Sequence, residues 1–509
     1  MNGTKIPANI VMSVSPVNPS GMVDSFQRSR CDIVSLSAYE GTRGRAMDDI
    51  KTLTLKQMSE GIRNKQFTSK QLTVAFLDRI EAVNPATNAV INLAAEQALK
   101  YSERADFALA GGETPGKLFG IPMTIKDSLD TFDLVSTWGT LGRAAFRPGS
   151  DATCVKRLRD EGAILMGKTN TPEFTLSFKT DNLLFGKTRN PFDLSRTPGG
   201  SSGGAAAALA CDMTPFDVGT DTGGSIRLPA HFSGVCGIKP TTGRIPCTGN
   251  ALPTSGILAP LSQPGPMARS VEDLIYLLDI MQGPDNIDPH AVSAENRDPY
   301  KIDVDQLRIG FHSDNGIKTP EPDIQATIHR VIDLLKDQNH HVTDVRPIGL
   351  EMADFLYSRL FAADNADMAA MLLEDCGTST PSPVVASIIK SRTPDSSAQE
   401  FSRVVHLWHN YQSTMLAYFN DFDILITPVN ASCAIKHDEP EDFAAFSYTS
   451  AYNLTGWPGV VIPAGTNKDG LPIGIQILAR PFREDHCLAL AHYLEARLGT
   501  FPKPLRDQH

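Results

Sequence analysis

Apolar residues recur at helical spacing soon after Thr52. Leu55, Met58 and Ile62 share one face behind a capping Thr54, and Leu72, Phe76, Ile80 and Val83 form a second stripe behind Thr68 and Ser69. The spacing predicts two helices, the second stopped by Asn84 and Pro85. An Ala-rich third helix over about 94–109 ends at Gly111 and Gly112. Short apolar runs then take over. Those at 121–125 (with Lys126 at the end), 163–166, 216–219, 308–311, 424–427, 460–463 and 473–478 predict buried strands, among helices over 151–161, 270–281, 324–336 and 484–497. Such alternation predicts an α/β fold, a single large domain whose mixed, mostly parallel central sheet is covered by helices on both faces.

Two stretches depart from this pattern. Residues 1–50 mix Ser, Arg and Gly without a sustained period and read as a partly irregular N-terminal arm, leaving 51–509 as the main domain. Residues from about 350 to 420 carry helical spacing and aromatics with no strand between, which predicts a helical insertion flanking the active site.

Composition changes the picture only by exclusion. With 41% hydrophobic and 21% charged residues the chain reads as an ordinary globular protein. A net charge of −11 and the lack of a basic tract argue against binding nucleic acid or an anionic membrane. No window nears the roughly 18 consecutive apolar residues of a membrane span, and Ile10–Met12 is too brief for a signal-peptide core. The expected location is therefore cytoplasmic. The eight cysteines are scattered with no C-x-x-C pair, which suits reduced thiols better than bridges or zinc ligands.

The chemistry concentrates in two glycine-rich segments and one lysine. Pro198-Gly-Gly-Ser201-Ser202-Gly-Gly204 and Gly219-Thr-Asp-Thr-Gly-Gly-Ser225-Ile-Arg227 each let the backbone approach a ligand closely and each present a serine hydroxyl. A turn such as Asp221–Gly224 can aim successive N–H groups at one point beside Ser225, as an oxyanion requires. Lys126, upstream in Gly120-Ile-Pro-Met-Thr-Ile-Lys126-Asp127, can act as a base only when neutral, and burial among Ile121, Met123 and Ile125 would favour that state.

These pieces, in this order, resemble the amidase signature family over roughly 52–497, most strongly over 118–245. The resemblance implies that fold and a Ser-Ser-Lys triad. Ser225 would be the acyl-forming nucleophile, Ser201 the bridging serine after a cis peptide bond with Gly200, and Lys126 the general base and later acid. Thr222, Gly223, Gly224 and Ser225 would supply the oxyanion-hole amides, supported by Ser202. Asp221 and Arg227 are read as holding the glycine-rich turns by hydrogen bonds rather than touching substrate. Matches at Gly167–Asn170 with Glu173, at Arg189–Pro191 with Asp193, and at Gly237–Pro240 are read as shaping turns around the site.

Other motifs in the chain fit worse. Gly199-Gly-Ser201-Ser-Gly203 satisfies the G-x-S-x-G elbow, but Asp193–Pro198 is a poor strand to lead into it. Gly162-Ala-Ile-Leu-Met-Gly-Lys168-Thr169 spells a phosphate loop, yet its middle reads as a buried strand and Asn170-Thr-Pro172 makes a turn where a helix should start. His340-His341 and His406 with His409 could suggest metal ligation, but the second pair, at helical spacing, has no nearby carboxylate in the metalloprotease arrangement, and the serine–lysine mechanism needs neither cofactor nor metal.

The expected function is hydrolysis of the C–N bond of a non-peptide amide, with carbamates and esters open to the same attack. The expected partner is that small molecule, and a homodimer is compatible with the sequence. The alternative is the transamidating subunit of a tRNA-dependent amidotransferase, acting only in a complex. That relative usually carries Met-Asp-Glu-Phe where this chain has Thr171-Pro-Glu-Phe174, and it lacks the long arm, so a stand-alone enzyme is favoured. The residues expected to wall the substrate pocket are Phe355, Leu356, Leu360 and Phe361, with a loop around Tyr448–Trp457.

Overall fold

In a computed structural model, which describes residues 50–113, 116–393, 397–499 and 501–504, Thr54 and Thr68 each open a helix through a complete capping box. Thr54 pairs with Gln57 and Thr68 with Gln71, so the first orphan N–H groups of Leu55–Arg63 and Ser69–Thr87 are satisfied locally. The second helix does not stop at Asn84. Pro85 lies in its last turn, where it removes one bond to the preceding turn without ending the helix, which runs on to Thr87 before Asn88 turns left-handed at φ 52°. Apart from residue 50, the predicted N-terminal arm lies outside the described residues.

The strands are β1 (Val90–Leu93), β2 (Pro122–Lys126), β3 (Ile164–Thr169), β4 (Phe216–Asp221), β5 (Cys236–Lys239), β6 (Gln263–Ala268), β7 (Ile309–Phe311), β8 (Val342–Asp344), β9 (Ile424–Pro428), β10 (Gly459–Thr466) and β11 (Pro472–Ala479). Eight of them form one sheet in the order β4-β6-β5-β10-β11-β9-β7-β8, and β1-β3-β2 form a smaller one. The result is a single α/β domain with a large mixed sheet flanked by helices.

The expectation of a mostly parallel sheet is corrected. From β4 through β9 every pairing is antiparallel, and only β9-β7-β8 and β2-β3 run parallel. A strand buried on both faces reads as the same apolar run in either direction, so its sequence carries no sign of its neighbour's polarity. The interleaved β6 is also invisible in the sequence: its Gln263-Pro-Gly-Pro pattern argues against a strand, yet it pairs with β4 along its whole length.

Asp217 joins the two sheets. Its buried carboxylate accepts the backbone N–H of Lys126 at 3.0 Å and the hydroxyls of Thr124 and Thr169 at 2.6 and 3.0 Å, bridging β4 to β2 and β3 where no ladder runs. One apolar core packs helices Leu55–Arg63, Ser69–Thr87, Val271–Met281, Pro322–Asp337 and Glu484–Leu498 on the sheets, and the Ala-rich helix Gly203–Ala210 packs with Ile226, Met267 and Val461. Between 353 and 416 the chain forms helices Ala353–Asp364, Asp367–Asp375, Pro383–Lys390 and Ala398–Leu416. Their inner residues Leu356, Leu360, Trp408 and Tyr411 cluster with Tyr452 and Trp457.

Candidate active site

Lys126 ends β2 with its side chain fully buried. Its Nζ lies 2.7 Å from Ser201 Oγ, 2.9 Å from Ser202 Oγ and 2.8 Å from Thr220 Oγ1. Burial, opposed by the charges of Asp221 and Asp217, pushes its pKa well below the ordinary value of 10.5. A neutral amine has two N–H groups and one lone pair, so three hydroxyls can all be served, two accepting and one donating. The amine is held dry among hydroxyls.

Ser201 and Ser202 stand on the irregular segment before helix Gly203–Ala210, and the Gly200–Ser201 peptide is cis. A side chain at Gly200 would meet the backbone of Phe178 and Lys179 at 2.7 Å, which is why only glycine fits there. Ser225 sits on the turn after β4. Its carbonyl accepts the Ser202 N–H at 3.1 Å, which joins the two glycine-rich segments. Ser225 is buried, and its hydroxyl carries no hydrogen bond among the described residues.

Of the four amides expected to face an oxyanion, that of Gly224 donates to Asp221 Oδ1 at 2.9 Å, while those of Thr222, Gly223 and Ser225 have no partner among the described residues. Gly224 adopts φ 131°, where a side chain would be strained and would strike Thr449 Oγ1. Asp221 and Arg227 are both fully buried and bonded to each other through Nε at 3.0 Å and Nη2 at 2.9 Å. Burial would raise the Asp221 carboxyl, but the Arg227 guanidinium and the Asn453 amide outweigh it and hold it well below the usual carboxylate range. Arg227 reaches on to Gln476 and Asn453.

Several contributors go beyond the residues that the sequence singles out. Thr220, the third hydroxyl on Lys126, lies inside the second motif, where its place next to Asp221 was the one available signal. Asp217, Asn453 and Thr449 have no local signal. The expected pocket wall is corrected too: Leu356 and Leu360 are core residues, and it is Tyr357 between them whose hydroxyl reaches Thr222 O at 3.4 Å. Tyr448–Trp457 is mostly helix, Ser447–Leu454, rather than loop. Phe178, stacked on Phe446 at 3.8 Å, flanks the Gly223 turn with Tyr357.

The phosphate-loop spelling resolves into strand β3. Lys168 is buried there, bonded to Leu129 O and Ser136 Oγ, with Asp127 at 3.9 Å, and presents no loop for phosphates. No strand leads into Ser201, which leaves the G-x-S-x-G elbow without its frame. Among the described residues no helix is long and apolar enough to cross a membrane.

The model of the Amidase family matches residues 71–488. A glutamyl-tRNA(Gln) amidotransferase subunit from Bdellovibrio bacteriovorus is 32% identical over 483 residues, covering 88% of this chain and 97% of that one. Among solved structures, 6-aminohexanoate cyclic dimer hydrolase complexed with substrate superposes with a TM-score of 0.82 at 28% identity, over 90% of this chain and 99% of its own. A bacterial aryl acylamidase of the amidase signature family superposes at 0.79 with 25% identity, over 88% and 96%. With the family model spanning most of the chain and its relatives aligned nearly end to end, the protein belongs to the amidase signature family and is an enzyme acting on carbon–nitrogen bonds.

Proposed function

We propose that the chain hydrolyses a small non-peptide amide carrying an apolar group, through an acyl-enzyme on Ser225. Neutral Lys126 takes the Ser201 proton as Ser201 takes that of Ser225, whose Oγ attacks the carbonyl carbon. The oxyanion is received by the N–H groups of Thr222, Gly223 and Ser225. The proton returns by the same path to the leaving nitrogen, the C–N bond breaks, and water, activated in turn, hydrolyses the ester. Ser202 and Thr220 keep the amine aimed, and Asp221 with Arg227 shapes the turn.

The observation that carries this reading is the fully buried Lys126 amine within hydrogen-bond reach of Ser201, its pKa pushed well below the ordinary 10.5 by burial. The choice of substrate rests on the rim. The side chains packed at Gly223 itself are Phe178, Tyr357 and Thr449, none of them charged, which suits an apolar substrate better than a zwitterion such as free glutamine.

A second reading is supported by the curated relatives, which are amidotransferase subunits matched over nearly their whole length and which weigh toward transamidation in a complex. The purified chain alone separates the two. Amine release from anilides and aliphatic amides, lost in Ser225→Ala, is the expected result. A chain inert on every amide, releasing ammonia from glutamine only when partner subunits are added, would replace hydrolysis with transamidation.

A further inference from the structure

Four successive peptide groups make up the turn after β4, and each has its carbonyl oxygen held. Asp221 O accepts Asn453 Nδ2 at 3.3 Å, and Thr222 O accepts the Tyr357 hydroxyl at 3.4 Å. Gly223 O accepts the Thr449 hydroxyl at 2.7 Å, and Gly224 O the Leu228 N–H at 2.7 Å. All four peptides are trans. A trans peptide points its N–H opposite its carbonyl, so whatever grips the oxygen also aims the amide. The amides paired with those carbonyls belong in order to Thr222, Gly223, Gly224 and Ser225. Gly224's is spent on Asp221, and the other three are left pointing away from the groups that hold the turn.

Two of the four holders are side-chain hydroxyls from remote parts of the chain, Tyr357 lying 135 residues from its acceptor and Thr449 lying 226 from its own. Thr449 stands one turn before Asn453 on helix Ser447–Leu454, so a single helix face grips the first and third of these carbonyls. The peptide between Gly223 and Gly224 is clamped at both of its polar ends, by Thr449 and by Asp221, and each neighbouring plane is joined to it through one Cα and held at its own carbonyl by Tyr357 or the Leu228 N–H.

We propose that Tyr357 and Thr449 are positioning residues for the oxyanion turn: Tyr357 aims the Gly223 amide by holding its peptide's carbonyl, and Thr449 anchors the central Gly223–Gly224 peptide to which the Gly223 and Ser225 amide planes are joined. They touch neither the nucleophile nor the base. Their effect appears only as negative charge develops on the substrate oxygen, because a well-aimed donor matters more to an oxyanion than to a ground-state carbonyl. The inference rests on the serine-nucleophile reading given above.

The test uses a fluorophosphonate ester, which places the same demand on the turn. Ser225 Oγ forms the O–P bond, fluoride leaves, the serine proton passes to Lys126, and the adduct is counted by intact mass. Thr449→Val keeps the shape and loses the donor. The expected result is a maximal labelling rate about tenfold lower with probe affinity unchanged, less than the roughly 100-fold or more lost when a donor is removed outright. Thr449→Ser, which keeps the hydroxyl, should restore it. Tyr357→Phe should show a smaller loss of the same kind, in keeping with its longer contact. It carries the test should Thr449→Val fail to fold.

Each remaining outcome has one meaning. If Ser225→Ala is inert while Thr449→Val labels at the wild-type rate, the positioning role is overturned and the nucleophile stands. The role falls equally if Thr449→Ser is as slow as Thr449→Val, since packing would then be the cause. A wild-type chain that does not label, or a Ser225→Ala chain that labels normally, overturns the serine mechanism and this inference with it.

Discussion

At Lys126 three hydroxyl groups surround an amine that is fully buried and whose two nearest carboxylates, Asp217 and Asp221, are each committed to other donors. The amine therefore keeps its lone pair at a pH where an exposed lysine would not. This has a consequence for stability. A lysine whose folded pKa lies below its ordinary 10.5 is protonated more readily in the unfolded chain, so unfolding takes up a proton between the two values and stability rises with pH across that window. Lys126→Met removes the group and its slope. The variant should be inactive, and its stability relative to wild type should grow as pH falls from about 10 toward neutrality, read from urea midpoints across that range. Equal pH slopes in the two proteins would mean that Lys126 is charged in the fold.

Among the elements, β4 connects scaffold and chemistry: its Asp217 anchors β2, its Thr220 meets Lys126, and its end opens the oxyanion turn. The strand's apolar start is legible in the sequence, because Phe216 and Val218 read as buried. Its neighbours are not, because a ladder partner is chosen by tertiary packing and not by local pattern. The same limit separates what is legible in the site. Ser201, Ser225 and Lys126 sit in segments whose composition is itself unusual, whereas Tyr357 lies in an ordinary helical pattern, and Thr449 and Asn453 lie in a stretch that reads as a loop but forms a helix buried on all sides. Asp217 offers a test at this scale. Burial, partly offset by its hydrogen bonds to Thr124, Thr169 and the Lys126 N–H, raises its carboxyl from 3.8 to about 6. The folded state holds the proton more tightly, so the carboxyl's contribution is fullest below pH 3.8 and is lost as pH rises through 6. A shift of that size corresponds to about 3 kcal/mol. Asp217→Asn should lack this decline between pH 4 and 6 in denaturant titrations. It should also lower turnover, since Asn offers one acceptor oxygen where the carboxylate serves three donors.

For the whole molecule, the described fold is anchored from its first helix onward by contacts that lie past residue 50. Arg269 donates to the carbonyls of Lys51 and Leu53, and the Leu55 N–H donates to Asp273 Oδ1 at 2.7 Å. Leu55, Met58 and Ile62 fill the main core beside Val271 and Leu274, and the capping box at Thr54 closes the helix start. The active site draws on β2, the segment before helix Gly203–Ala210, the turn after β4 and two C-terminal helices, all further along the chain. Leu55 is fully buried in that core, so Leu55→Ala should lower the stability of the fold by about 2–5 kcal/mol, read from urea midpoints. Turnover by the folded variant should match that of the wild type, because the active-site groups are held by other elements. A variant as stable as the wild type would mean that the first helix adds nothing to the core, and one that folds but loses turnover would tie that helix to the reaction.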